Sequence, residues 1–418
     1  MITITDIYGY EVLDSRGNPT TAAKVTLSDG TVSRAYVPSG ASTGIHEALE
    51  LRDKDKNRFH GKGVLKAVEN INTKIKSSLV GVDPFNQKNI DQIMLDLDGT
   101  SNKEVLGSNA ILAVSLAVAR AGAISKGVPL YTYLYDLYQE YEETTLIIPE
   151  PGFNVLNGGA HADSGLDIQE FMLMPQLGSI KENVRAGSEI YHALKDLLSK
   201  EGYTVSVGDE GGFAPQLPNN KEALVLLKKA IENSGYLLGK NILLALDVAA
   251  TEFYNKEKDV YTLGGSEKKP QDLIDMYLEW IKEYSIISIE DPFSEDDFTS
   301  WNKFMTTLPE GVRAVGDDLL VTNVERINLS IEKNLCNDVL IKPNQIGSLT
   351  ETMQAIALSH KNGMSTMISH RSGDTSDDFI ADLGVATRCE YIKSGALSRS
   401  ERTAKYNRLI EIEQDLSL

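Results

Sequence analysis

ILLALD (residues 242–247), IISIE (286–290), RAVGD (313–317) and DVLIK (338–342) are four short apolar runs, three closed by an acid and the fourth by a lysine. Segments of helical length separate them, the pattern of buried parallel strands in successive βα units. Asp247, Glu290, Asp317 and Lys342 then stand at the carboxyl ends of their strands. In a closed barrel of such units those ends share one rim, where active sites of this architecture are built. Three carboxylates on one rim repel one another unless a cation joins them. Asp247, Glu290 and Asp317 therefore read as ligands of a hard divalent ion, most simply Mg²⁺. Lys342 reads as a base beside that ion, or as an ion-pair partner of the acids. A lone acid after a strand serves equally well as a helix N-cap or turn residue; recurrence in consecutive units is what favours the metal. Asp291 and Asp318 fit better as caps or as supports of the ligands.

At 418 residues the chain exceeds the ~250 of a typical barrel. The βα alternation lies toward the C-terminus, so an N-terminal α+β domain is expected over residues 1–139, ahead of a β/α barrel over 140–418. A formal charge of −19 with no compensating basic block argues against nucleic acid or an anionic membrane as partner. Cys336 and Cys389 are too few for a disulfide framework and fit a reducing compartment. The opening MITITDIYGY lacks the basic start and apolar core of a signal peptide, and no run approaches the ~20 apolar residues of a membrane span. A cytoplasmic location is expected.

Residues 2–37 alternate around DSRGNP and SDG and predict an antiparallel meander, with Arg16 either a solvated turn residue or an arm toward a site or another subunit. VPSGASTGIHEALELRD (37–53) reads as a small-residue loop running into an acidic helix start. The loop is either a plain surface connection or a lid whose Ser42 and Thr43 offer oxygens to a metal or phosphate. Helices are predicted over 63–80 and, Ala-rich, over 109–125. His161 falls in a second small-residue loop. DIQEFMLMP (167–175) reads as a strand carrying Gln169 and Glu170, and helices follow at 180–200 and 220–233. Glu210 stands between them, flanked by glycines. Two strands and two helices thus precede the regular alternation, which is not the order of a simple barrel. Further helices are predicted at 270–284, 322–334 with Thr322 as N-cap, 348–362 with Gly363 at C′, and 376–387. The last strands end in His370, Arg371 and Ser372, and in Lys393.

The rim therefore gathers acids on one side and cations on the other, which suits an anionic substrate that becomes more negative as it reacts. Removing a proton next to a carboxylate does this, provided preorganised cations hold the charge. A unit charge pair at 4 Å is worth about 4 kcal/mol at an effective dielectric of 20. Lys342 must be neutral to act as base, and a metal with Lys393 nearby is expected to depress its pKa. Glu210 and Glu170 are candidates for a general acid that assists a departing hydroxide, or are surface carboxylates.

SGASTGIHEALELRD (39–53), NGGAHAD (157–163), QEFM (169–172), VGDEGGFAP (207–215), LDVAATEF (246–253), IEDPF (289–293), GDDLLVTN (316–323), IKPNQIG (341–347), SHRSGDT (369–375), IKSGA (392–396) and SRSERTAKYN (398–407) resemble, in order, the signatures of the enolases, phosphopyruvate hydratases, of bacterial type. The resemblance spans essentially the whole chain. It implies a ββαα(βα)₆ barrel capped by the N-terminal domain. It implies reversible dehydration of 2-phospho-D-glycerate to phosphoenolpyruvate in glycolysis and gluconeogenesis, with two Mg²⁺ per site. By the same resemblance Asp247, Glu290 and Asp317 hold one Mg²⁺, and Ser42 helps hold the second with the phosphate. Lys342 takes the C2 proton, Glu210 with Glu170 beside it assists the leaving hydroxyl, and His161, Gln169, His370, Arg371, Ser372 and Lys393 position the substrate, His370 being counted with the catalytic groups. A homodimer or higher homo-oligomer is implied too. Departures are mild: Asp374 stands where the family usually has Glu, the Ser376–Asp377 pair is unusual, and TTAAKVTL (20–27) is less acidic than is common. Competing readings are another dehydration or racemisation of a carboxylic acid, and an added, non-catalytic surface-binding role.

Overall fold

The computed structural model describes residues 1–40, 44, 46–162 and 164–417. β1 (Ile4–Leu13), β2 (Pro19–Leu27) and β3 (Val32–Tyr36) form the predicted antiparallel meander, in that order. Residues 48–55, expected to begin a helix, are irregular instead, because their charged side chains serve other segments. Arg52 bonds the carbonyls of Pro19 and Lys62, and Asp53 accepts the backbone N–H groups of Leu65 and Lys66. Helix α1 (Leu65–Asn70) passes through a π-helical turn into α2 (Lys76–Leu79). α3 (Gln87–Asp98) has no counterpart in the sequence reading, and α4 (Ser108–Lys126) and α5 (Leu130–Tyr138) complete the domain. α4 is long and apolar enough to cross a membrane by length and composition, more so than the sequence suggests, but 83% of its apolar window is buried in the fold. It is a core helix: Ala117 offers its carbonyl to Ser33 on β3, and Gly122 admits Tyr133 where any Cβ would lie 2.4 Å from the phenol oxygen.

The second domain begins with β4 (Glu150–Asn157), β5 (Glu170–Pro175), α6 (Ile180–Lys200) and α7 (Asn220–Asn233). β6 (Ile242–Asp247) is followed by a small antiparallel sheet, β7 (Tyr254–Asn255), β8 (Val260–Leu263) and β9 (Ser266–Lys268), then α8 (Pro270–Tyr284). Alternation then runs through β10 (Ile286–Glu290), α9 (Phe298–Thr307), β11 (Arg313–Gly316), α10 (Val324–Lys333) and β12 (Asp338–Ile341). A single turn, α11 (Pro343–Ile346), precedes α12 (Leu349–Lys361), β13 (Ser365–Ser369), α13 (Phe379–Ala386), β14 (Tyr391–Lys393) and α14 (Ser400–Leu416). The strands close a barrel in the order β10-β11-β12-β13-β14-β4-β5-β6. β5 alone runs against both neighbours, which is the ββαα(βα)₆ order. Inside the barrel Met172, Met174, Ala245, Val315, Leu340 and Met367 pack as a separate small core, flexible thioethers filling the taper.

Two local expectations change. Asn323, not Thr322, caps α10 by accepting the N–H groups of Glu325 and Arg326. Thr322 is turned to φ +56°, and its hydroxyl accepts the backbone N–H of Lys342. Gly363 does follow α12 with φ +72°, as predicted.

The domains meet across the barrel rim. Ser39 and Gly373 exchange backbone hydrogen bonds of 2.7 and 2.9 Å. A Cβ on Gly373 would lie 2.5 Å from Asp14 Oδ2 and 2.6 Å from Arg16 Nη2, so this approach requires glycine. Arg16 is thus an interdomain residue, its Nη2 donating to the carbonyl of Gly40. Arg120 on α4 bonds Asp377 and Asp378 at 2.6 and 2.8 Å.

Candidate active site

Strand direction places the acids. Asp247 and Glu290 pair side by side at the ends of β6 and β10, and Asp317 follows β11 directly. Because β5 runs backwards, its first residue, Glu170, pairs with Asp247 and joins the same rim. All four are buried. Lys393 Nζ stands among them, 2.7 and 2.8 Å from the oxygens of Glu290 and 3.3 Å from Asp247 Oδ2 and Glu170 Oε2. Lys342 Nζ donates to Asp317 Oδ2 at 2.5 Å, and Gln345 Nε2 to Asp317 Oδ1 at 2.8 Å. Gln169 Nε2 donates to Asp247 Oδ2 at 3.2 Å. Asp291 accepts the N–H groups of Asp317 and Asp318 at 3.0 and 2.8 Å, the supporting role expected of it.

The electrostatics of this wall ask for more positive charge. Burial, reinforced by neighbouring acids, pushes Glu290 and Asp291 well above the usual carboxylate range and Asp318 up to about 8. Burial also opposes the charge of Asp317, but Lys342 and Lys393 hold it below its usual value. Asp291, Asp317 and Asp318 each bring an oxygen within 4.8 Å of the others. An all-oxygen, acid-rich wall in which carboxylates are driven toward protonation is a donor set that fits a hard divalent ion. Among the protein's own groups, burial disfavours the charge of Lys342, and Arg371 and Lys393 add to this, yet Asp317 more than offsets them and holds it above its ordinary value; the depression expected of Lys342 is that of the metal-loaded site.

Across the cleft His161 Nδ1 lies 3.5 Å from both Glu170 and Glu210. Ser372 Oγ donates to Glu210 Oε1 at 3.2 Å and lies 3.3 Å from His161 Nε2. Asn154 Nδ2 donates to Glu210 Oε2 at 2.9 Å. Glu170 and Glu210 thus flank one histidine nitrogen, close enough for the charge of one to act on the other. Burial and the charge of Glu210 raise Glu170 far above the carboxylate range. Burial opposes ionisation of Glu210 too, but the positive charge around it, His161 and Arg402 included, overcomes it and favours the carboxylate. The two walls, with Lys342 on one and the Glu170–Glu210 pair on the other, line a single cleft. Glu290 is covered by Lys393 and lies beneath it.

The structure thus brings together twelve of the thirteen residues singled out from the sequence; Ser42, like Thr43, lies outside the described residues. Sequence reasoning passed over Glu47, which grips Arg371 through two hydrogen bonds of 3.0 and 3.1 Å, and Asn154, Gln345 and Arg402. Their signal was present but unused: IKPNQIG holds Gln345, SRSERTAKYN holds Arg402, and a buried arginine has to meet acceptors.

Fold and rim together define a β/α-barrel enzyme with acid–base groups on two facing walls and a carboxylate wall suited to a divalent metal. Residues 145–418 match the family model described as "Enolase, C-terminal TIM barrel domain", and residues 4–134 match "Enolase, N-terminal domain". The chain belongs to the enolase family, and it is an enzyme of that superfamily.

Proposed function

We propose that the protein catalyses the reversible dehydration of 2-phospho-D-glycerate to phosphoenolpyruvate with Mg²⁺. The observation that carries this reading is the opposition of Lys342 to the paired carboxylates of Glu170 and Glu210, both 3.5 Å from His161 Nδ1, across one cleft. Elimination of a hydroxyl β to a carbon acid needs a base on one side and an acid on the other. Asp247, Glu290 and Asp317 would hold one Mg²⁺ and Ser42, with the phosphate, a second. Such ions, when bound, supply positive charge against the charge building on the substrate carboxylate. Lys342, released from Asp317, takes the C2 proton. The electron pair of the C2–H bond becomes the C2–C3 π bond, and the C3–O bond breaks. The departing hydroxide leaves as water with a proton from the Glu170–Glu210 pair. His161 and Ser372 hold that pair in place, Lys393 and Gln169 orient the carboxylate end, and Arg371 receives the phosphate once Glu47 gives way.

The test is ultraviolet detection of the enol phosphate from 2-phosphoglycerate, with Mg²⁺ and with excess chelator. Turnover abolished by chelation is expected. A folded, Mg²⁺-loaded protein inert toward 2-phosphoglycerate but active on an unphosphorylated 2-hydroxy acid would replace this reading with another acid dehydration or racemisation.

A further inference from the structure

Arg402 on α14 is wholly buried, yet it spends its donors on three separate segments at once. Nη1 donates to His370 Nδ1 at 2.5 Å and to the carbonyl of Arg371 at 2.6 Å. Nη2 donates to the carbonyls of Ser372 and Asp209 at 2.6 and 3.2 Å and to Ser15 Oγ at 3.3 Å. A guanidinium donates and never accepts. His370 Nδ1 must therefore present its lone pair, and the one proton of the neutral ring sits on Nε2. That nitrogen is buried, has no nearer hydrogen-bond partner among the described residues, and lies 3.5 Å from Glu210 Oε2.

We propose that Arg402 is a positioning residue that holds His370 as the neutral Nε2–H tautomer, with its proton aimed at Glu210. The effect on rate rests on the dehydration reading; the tautomer does not. His370 is packed among Glu210, Arg402, Asp374 and Lys393. Burial first, and Arg402 and Lys393 with it, disfavour the imidazolium against the pull of the two acids. In this state His370 turns an N–H dipole toward Glu210 Oε2 at 3.5 Å without contributing a second titrating proton. The close fit is built in: a Cβ on Gly395 would lie 2.9 Å from Arg402 Cδ and 2.5 Å from the carbonyl of Glu210.

Imidazole-¹⁵N NMR of the full-length, Mg²⁺-loaded protein, with His370→Asn assigning the signal, tests this. An unprotonated Nδ1 and a protonated Nε2 from pH 6 to 8 are expected. An Nδ1–H form or an imidazolium at pH 7 overturns the proposal. Arg402→Met should mix the tautomers, lower kcat by about 10²–10⁴-fold, the range of acid–base groups, and move any ionisation of His370 in the rate profile toward higher pH, since Arg402 is one of the groups that disfavour its imidazolium. Arg402→Lys, which keeps a donor, should restore the tautomer and part of kcat. A fall in kcat in Arg402→Met with tautomer and profile unchanged reduces Arg402 to scaffolding and overturns the proposal. If Arg402→Met does not fold, the wild-type spectrum and Arg402→Lys decide. The expected tautomer in a protein inert toward 2-phosphoglycerate would sink the dehydration reading and leave this one standing.

Discussion

Arg371 is a residue for which two partners compete. Glu47, from the N-terminal domain, grips its guanidinium in a buried pair, and Asn344 Oδ1 accepts from the same Nη1 at 3.1 Å. An arginine fork suits a phosphate as well as a carboxylate, so an anionic group reaching Arg371 has to displace Glu47. Glu47→Gln should therefore tighten the binding of inorganic phosphate, measured by calorimetry, by up to about tenfold, the factor that ~1.4 kcal/mol represents. Unchanged or weaker binding would mean that Glu47 shapes the site rather than occupying it. In the sequence Arg371 was legible, since it follows a buried strand among other polar groups. Glu47 was not: one acid among the three of HEALELRD, read as a helix start, carries no mark of the partner 324 positions away.

Among elements, the pairing that ties the interdomain connection to the barrel floor turns on His360 at the end of α12. Its Nδ1 lies 3.0 Å from Glu142, in the segment between α5 and β4, and Nε2 lies 3.0 Å from Thr366 Oγ1 on β13 and 3.7 Å from Glu390. Tyr138 OH donates to the same Glu142 oxygen at 2.7 Å. Burial disfavours the imidazolium, but Glu390 and Glu142 win and raise His360 above its ordinary 6.5. A raised histidine contributes stability that is complete below about pH 6.5 and is lost as pH rises through the folded-state value. The Tm gap between wild type and His360→Asn should thus be larger at pH 6 than at pH 9, by about 1–3 °C; an equal gap at both would show that the imidazole acts by packing alone. The alternating helices and strands were legible because buried runs and 3.6-residue stripes recur at regular spacing. The β7–β9 insertion, α3, α9 and α14 were not read, the first because strands of two to four residues show no period. The reversal of β5 was invisible to periodicity, since a buried strand reads the same in either direction.

For the whole molecule, the proposed dehydration divides its steps between two walls that only barrel closure brings face to face. β5 and the loop at Glu210 supply one, and β6, β10, β11 and β12 the other. The acid wall could be read from strand ends, one residue per βα unit. The opposite wall could not be assembled that way, because Glu210, His161 and Arg402 sit on loops and a terminal helix whose approach to the rim depends on tertiary packing. Exchange of solvent deuterium into C2 of 2-phosphoglycerate separates the walls. With Mg²⁺ present, Glu210→Gln should retain C2 exchange while forming little phosphoenolpyruvate, and Lys342→Ala should lose both. Exchange persisting in Lys342→Ala, or vanishing in a folded Glu210→Gln protein, would contradict the assignment of proton removal to the Lys342 wall and hydroxide departure to the glutamate wall.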